Sequence, residues 1–364
     1  MKKLILLITI PLVLCSCGQK SVKNENNTSN KTEQVQSDGN TKQVVKEEVK
    51  EEIQGKASDY YPFTKNTEYK YEGTGSEYAS KDIYPDFIED NKMQLRIITS
   101  GTTSVNIIEK TENEVSLVYS KGEVYHRENC IQKEFKGNKD ILIKSPIKVG
   151  NIWTTSSGDK RSITAINKDI ETKIGKLKAL EIKTEGKNGT TLDYYVKDIG
   201  HVKSIYEDKQ NKGLKVITEI KEINKDKAIT EEIKFNYIKS TDTDFIRKTQ
   251  YINVNFKTNE DIRKVFEKNL KNPPVKGLIP CFTKNVKINE MGIKNEGKIS
   301  YIDLSQDFIK DMNAGASLEG DILNCVAYTI GNYYNTSEVL LTVNNKPYES
   351  GHIIFKNGET IKLK

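Results

Sequence analysis

The residues with the widest chemical reach in this 364-residue chain are its five cysteines and three histidines. Cys130, Cys281 and Cys325 stand far apart with no C-x-x-C pair, and His126, His201 and His352 are equally dispersed. A zinc site usually shows in sequence as Cys or His pairs a few residues apart, so neither a metal site nor a cofactor is expected. Asp303 and Ser305 are residue types used in catalysis, but they stand where a strand ends and a turn begins. Short polar side chains serve there by hydrogen-bonding nearby backbone, so both are read as structural. With no acid/base, nucleophilic or metal constellation in view, the expectation is no catalytic residue and no enzyme.

The other two cysteines, Cys15 and Cys17, belong to the N-terminus. Met1-Lys2-Lys3 is a short basic start, and Leu4–Leu14 is an apolar run broken only by Thr9 and Pro11. The run is about half the roughly twenty residues a spanning helix needs, so it reads as a secretory signal. Leu14-Cys15-Ser16-Cys17 resembles a bacterial lipobox: aliphatic at −3, small at −2 and −1, then cysteine. The resemblance implies that Cys17 carries a diacylglycerol thioether and a fatty-acyl group such as palmitate. Its partner is then the outer face of the cytoplasmic membrane of a Gram-positive cell. Cys15 is the poorer anchor because bulky Leu14 would precede it. Two chains are what stable anchoring requires, since each buried methylene contributes only about 0.8 kcal/mol.

The elements that would position any site begin well after this leader. Residues 18–58 contain Lys, Asn, Gln, Glu, Ser and Thr and almost nothing to bury, a composition that cannot offset its ordering entropy. We assign 1–17 to the signal and lipobox, 18–58 to a polar linker, 59–240 to a β-rich domain and 245–364 to a small α+β domain. The net charge of +6 is spread over interspersed Lys and Glu, without the clustered Arg and aromatics of a nucleic-acid surface, so no nucleic-acid partner is expected.

In the middle region short alternating runs recur: Tyr69/Tyr71, Met93/Leu95/Ile97, Val115/Leu117/Tyr119, Leu192/Tyr194/Val196 and Ile233/Phe235/Tyr237. Turn residues separate them at roughly ten-residue intervals, the signature of an antiparallel meander. The expectation is about twelve strands between Glu68 and Lys239 in a curved sheet, half-barrel or barrel, with a short helix near Asp82–Asn91. Two segments open similarly: Pro62 to Asn66 to Tyr69, and Pro146-Ile147-Lys148-Val149-Gly150-Asn151-Ile152-Trp153. The second resembles the P-x-x-x-G-N-x-W strand entry of β-rich envelope lipoproteins. Either the pair marks two half-domains or strand starts merely look alike. Trp153 and the many tyrosines suit strands as well as they suit sugar stacking.

Beyond a Ser240–Asp244 linker, the pattern predicts βαββαβ: a strand over Gln250–Phe256, a helix capped by Thr258 with Asp261 at its third position, and strands at Val286–Met291 and Ile299–Leu304. A helix capped by Ser317 and a strand over Val339–Val343 follow. Asn344-Asn345 suits a type I′ turn, and His352–Phe355 with Thr360–Leu363 suggests an edge hairpin. Helices and strands in this order give an α+β sandwich. Several passages here resemble the GerMN domain of sporulation and germination proteins: Leu270-Lys271-Asn272-Pro273-Pro274, Gly277-Leu278-Ile279-Pro280, Tyr301-Ile302-Asp303-Leu304-Ser305-Gln306-Asp307-Phe308, Gly315-Ala316-Ser317, Val326–Ile330 and Val339–Lys346. Ala327 and Asn345 depart from its usual Asn and Gly.

The resemblance covers 250–352 and implies a ring-building-motif-like fold acting in envelope or spore assembly without catalysis. Its partners would be envelope or spore-assembly proteins, or other copies of this chain, although one copy of the domain puts ring formation in doubt. Cys325 reads as a small buried hydrophobe, with a Cys281–Cys325 disulfide as the alternative. A second functional expectation is a ligand-binding lipoprotein whose β-rich part holds a lipid, glycan or peptide.

Overall fold

The computed structural model describes residues 55–133, 137 and 139–364. The signal, Cys15, the expected anchor Cys17 and nearly all of the polar linker therefore lie outside the described residues. Period-two alternation produces twelve strands: β1 (Glu68–Thr74), β2 (Lys81–Glu89), β3 (Lys92–Thr99), β4 (Thr103–Lys110), β5 (Glu114–Lys121), β6 (Asp140–Lys144), β7 (Ile152–Thr154), β8 (Lys160–Thr172), β9 (Gly175–Glu185), β10 (Gly189–Val196), β11 (Gly200–Asp208) and β12 (Lys215–Asn224). Within β1–β6 and within β7–β12 each strand pairs antiparallel with its sequence neighbours, and β1 also pairs with β12, from Glu68 opposite Asn224 to Thr74 opposite Ile217. The result is a nearly closed up-and-down barrel of two six-stranded halves, β1–β6 and β7–β12. The distal part of the long β8–β9 hairpin curls back, so that Ile170, Ile174 and Leu177 pack against a cluster containing Tyr71, Val202 and Ile220.

The open seam lies between β6 and β7, and side chains close it. Trp153 donates its indole N–H to the Ile141 carbonyl at 2.8 Å, and the Asn151 amide reaches the Lys144 and Pro146 carbonyls at 2.8 and 3.0 Å. Arg161 donates to the Ile141 carbonyl at 2.5 Å and to both carboxylate oxygens of Asp140 at 3.2 Å. Carbonyls that a further strand would have paired thus find side-chain donors. The Pro-to-Trp segment noted in the sequence supplies two of them, and each of the paired segments leads into the first strand of one half.

Three expectations change here. Residues 82–89 are strand β2, not helix: Tyr84, Pro85, Asp86 and Phe87 are all buried in it, and a bulge between Pro85 and Phe87 accommodates the proline. The twelve strands end at Asn224 rather than near Lys239. A thirteenth, β13 (Ile229–Ser240), pairs along its full length with β14 (Phe245–Phe256), so Ser240–Asp244 is a hairpin loop, not a linker.

The remaining elements are α1 (Ile262–Lys271), β15 (Leu278–Ile279), β16 (Ile288–Lys294), β17 (Ile299–Leu304), α2 (Asp307–Lys310), α3 (Ala316–Tyr334), β18 (Glu338–Val343), β19 (Lys346–Pro347) and β20 (Ile361–Lys362). The βαββαβ order appears, but its strands divide between two sheets, β14-β13-β15 and β16-β17-β18-β19 with β20 on β18. Helix α3 lies between them and is buried on nearly all sides, as an apolar helix must be. One core joins Phe235 and Tyr237 of β13, Phe266 and Leu270 of α1, Val326 and Ile330 of α3, and Ile302 and Leu341 of the second sheet.

Helix caps differ by a few residues from expectation. Asp261 caps α1 by accepting from Arg263 N, and Gly315 precedes α3 in place of Ser317. Asn344 and Asn345 have φ of 48° and 60° and join β18 to β19 through a two-residue loop, as a type I′ turn requires. The C-terminal pair does not form a hairpin with itself. Ile361–Lys362 pairs with β18, while Ile354 bridges Glu349.

Barrel and C-terminal module belong to one compact unit, and polar side chains clamp them. Arg127, fully buried, donates to Asp86 Oδ1 at 2.6 Å and to the carbonyls of Asp86 and Lys257 at 2.8 and 3.0 Å, while its guanidinium lies over the rings of Phe87 and Phe256. Arg96 reaches the other Asp86 oxygen at 3.0 Å. Thr258, expected as a helix cap, instead donates its hydroxyl to the Pro85 carbonyl and accepts from Asn66 N, whose own side chain accepts from Thr258 N.

Candidate functional site

The inward positions of the barrel strands follow the same alternation and enclose a cavity of about 270 Å³. Apolar walls come from Ile83, Met93, Leu95, Ile97, Ile108 and Leu117, one or more from each of β2 to β5. The other side is polar. Lys81 on β2, Asp193 on β10, and His201 and Ser204 on β11 face the space, with Tyr61, Tyr69, Tyr71 and Tyr195 around them. Pro62, Ile199 and Gly200, the first residue of β11, also line it, with Asn106 and Leu142.

The charged groups are unequally satisfied. His201 Nε2 meets Asp193 Oδ1 at 3.0 Å, and the His201 ring packs edge-on against Tyr195 with centroids 5.1 Å apart. Tyr71 fixes the His201 backbone by donating to its carbonyl at 2.7 Å. Burial pushes the Asp193 carboxyl up, but hydrogen bonds from His201 and Ser204 outweigh it and hold the group below the usual range, so Asp193 is ionised. Lys81 makes no ion pair or hydrogen bond with any described residue. Its ammonium lies 5.2 Å from the Tyr71 ring centroid, and burial draws its pKa down despite the field of Asp193. On β4 the Asn106 side-chain oxygen is buried without a hydrogen-bond partner among the described residues. Chemically this is a receptacle: it has a free donor, apolar contact surface and no nucleophile–base pair.

A second cluster looks more like an enzyme. Glu319, Ser350 and His352 converge in the C-terminal module, with Ser350 Oγ 2.5 Å from Glu319 Oε1 and His352 Nδ1 2.9 Å from Oε2. The order of contacts is wrong for catalysis. A triad needs the serine proton directed at imidazole, whereas here the hydroxyl gives it to the carboxylate and accepts from the backbone of His352 and Ile353, both at 3.0 Å. Tyr348 donates to the same carboxylate at 2.9 Å. Burial raises the Glu319 pKa, and the bonds from Ser350, His352 and Tyr348 more than reverse this. The cluster ties the chain after β19 to α3.

The other residues singled out in the sequence are structural. Asp303 is buried and accepts from Thr342 Oγ1 at 2.6 Å, Asn345 N at 2.7 Å and Asn289 Nδ2 at 2.8 Å, holding the β18–β19 turn. Ser305 accepts from Lys287 N at 3.0 Å. Cys281 and Cys325 are buried free thiols in mutual contact, and that contact together with burial raises the Cys281 thiol well above its ordinary value. Cys130 is pushed up to about 11, chiefly by burial, which leaves it protonated and unreactive. Of the three histidines, His201 lies at the cavity, His126 packs on Tyr334 and His352 on Glu319. Among the described residues no His, Cys, Asp or Glu group forms a metal-binding cluster.

The alternation in β10 had drawn attention to Leu192, Tyr194 and Val196. The cavity is lined by the other phase, Asp193 and Tyr195. The available signal was a lysine and an aspartate in otherwise apolar inward positions, Lys81 before Ile83 and Asp193 before Tyr195.

Comparison with known proteins places a family on the C-terminal module. Residues 235–349 match the Germane family, described as sporulation and spore germination. The match begins inside β13, earlier than the residues that carried the resemblance. No curated protein matches the chain. Among solved structures, the tandem GerMN domains of the sporulation protein GerM from Bacillus subtilis are 20% identical over 37% of this chain, with a TM-score of 0.26, and the alignment spans 45% of their length. A Bacteroides fragilis protein described as exported, with a YmcC-like fold, aligns with 45% of this chain and 98% of its own at 11% identity and a TM-score of 0.30. A Clostridium perfringens protein described as a lipoprotein aligns with 37% of this chain and 93% of its own at 21% identity and a TM-score of 0.21.

Proposed function

We propose that this is a non-enzymatic lipoprotein held on the outer face of the cytoplasmic membrane through Cys17. Its Germane module would dock envelope or spore-assembly proteins during sporulation or germination. The observation that carries the reading is the family match over 235–349, and the lipobox-like leader supports the location. The clamp between barrel and module means that a docked partner would hold both as one body. Self-association belongs to the same proposal. The test is in vivo photo-crosslinking from exposed module positions such as Tyr251 and Val275 in sporulating cells. Discrete adducts with envelope proteins or a second copy are expected, and an absence of adducts from every position defeats the assembly reading. Separately, Cys17→Ala should move the protein from the membrane to the soluble fraction, and unchanged partitioning would refute the anchor.

A second reading has its own observation. The barrel keeps a cavity with an unpaired lysine where a filled core would serve stability better, which favours a ligand-binding role for the β-rich half. Partner docking and ligand binding occupy different parts of the chain and are compatible.

A further inference from the structure

We infer that the barrel cavity binds a small amphipathic acid: one anionic group held by Lys81, on an apolar body. The inference rests on the ligand-binding reading of the barrel and names the ligand class for that site.

Size is the first constraint. A cavity of about 270 Å³ is near the lower end of small-molecule sites, which run from about 300 Å³ upward. A diacyl lipid, a glycan chain or a folded peptide is too large to lie wholly within it. The wall is the second constraint. Ile83, Met93, Leu95, Ile97, Ile108 and Leu117 offer no hydrogen bond, so the ligand body is apolar.

Charge is the third. Asp193 is already satisfied by His201 and Ser204, so it has little demand for a further donor. The half-buried Lys81 side chain has three N–H donors and no acceptor among the described residues, and an ammonium is stabilised most by an anionic oxygen. The Tyr71 ring at 5.2 Å steadies the cation without using its hydrogens. The Asn106 side-chain oxygen, unpaired on β4, limits how polar the buried end can be. It would accept from a ligand hydroxyl but would repel a second anionic group, so the ligand is a monoanion.

The test uses the full chain carrying Cys17→Ser, so that no acyl anchor competes, with ¹³C-methyl labels on its methionines. Met93 lines the cavity, whereas Met291 and Met312 pack in the C-terminal module and serve as internal controls. Octanoate, octan-1-ol and octyltrimethylammonium are titrated in turn. Octanoate should shift the Met93 methyl alone and bind about tenfold to a hundredfold more tightly than octan-1-ol, the range for a hydrogen bond to a charged group. Lys81→Met, which keeps side-chain length, should abolish that preference and leave octan-1-ol binding within about twofold. Equal binding of octanoate and octan-1-ol by the native cavity, or tighter binding of the cation, overturns the acid assignment and leaves the ligand-binding reading standing. If none of the three probes moves Met93, both fall.

Discussion

At the scale of single residues, the decisive groups are polar side chains buried where sequence patterns expect apolar ones. Asp86 and Arg127 are each fully buried and 2.6 Å apart. Arg127→Met leaves Asp86 with Arg96 as its remaining cationic partner and strips the Asp86 and Lys257 carbonyls of their donor, so it should cost about 3 kcal/mol, read as a drop in the urea midpoint. Thr329 works in the same way on a smaller scale. Its hydroxyl accepts from Asn236 N at 2.9 Å inside the core, and Thr329→Val should cost about 1–3 kcal/mol, the penalty for a buried N–H without a partner. Acid stability has its own residue. Burial pushes the Glu128 carboxyl up, but His126 and Lys133 prevail and bring it down to about 2. A depressed carboxyl contributes stability above its unfolded pKa that is lost as pH falls through its folded one. The stability gap between native protein and Glu128→Gln should therefore be full at pH 7 and shrink as pH falls from about 4.5 to about 2, measured by denaturant titration at each pH.

At the scale of elements, period-two alternation was enough to read a twelve-stranded meander, and turn chemistry was enough to read the Asn344-Asn345 hairpin. What sequence could not supply was phase and partnership. Strand β10 is buried on both faces at Tyr194 and Tyr195, so its apolar alternation did not reveal that Asp193 looks inward. Pro85 fits inside β2 because a bulge lies beside it, a feature that the helix expectation for Asp82–Asn91 had no means to foresee. Strand β13 carried the alternation of a barrel strand, yet β14 claims its whole length, because a hairpin neighbour is the nearest available pairing. The seam was half legible. Asn151 and Trp153 stood out as a motif, but their role as donors to β6 depends on strands brought together by the sheet. Trp153→Phe keeps an aromatic side chain but removes the N–H and part of the buried ring, and should accelerate amide exchange in β6 and β7 with little change in the C-terminal module. Equal acceleration in both would mean that the seam is not a local closure.

At the scale of the whole molecule, the fold class was readable throughout, whereas the rigidity of the barrel–module junction was not. That junction depends on Arg127 and Asp86, and on Asn66 and Thr258, pairs separated by 41 and 192 positions. No local pattern connects residues that far apart. Trp153, the single tryptophan, lies in the barrel, so its fluorescence follows barrel unfolding while far-ultraviolet circular dichroism follows both parts. The two transitions should coincide in the native protein and separate in Arg127→Met. Separate transitions in the native protein would contradict the single-body description.

The pairing of β1 with β12 has a mechanical consequence. Glu68 lies opposite Asn224, so the chain enters and leaves the barrel at the same point. Just before that entry, Asn66 exchanges hydrogen bonds of 2.8 and 2.9 Å with Thr258 and accepts from Lys227 N at 2.9 Å. A pull between residue 55 and the C-terminal module is therefore transmitted from strand entry to module directly. The β1–β12 ladder hangs beside the load path and escapes tension that would unzip it if those bonds were missing, whereas Tyr61 and Pro62 of the cavity lining lie on the path itself.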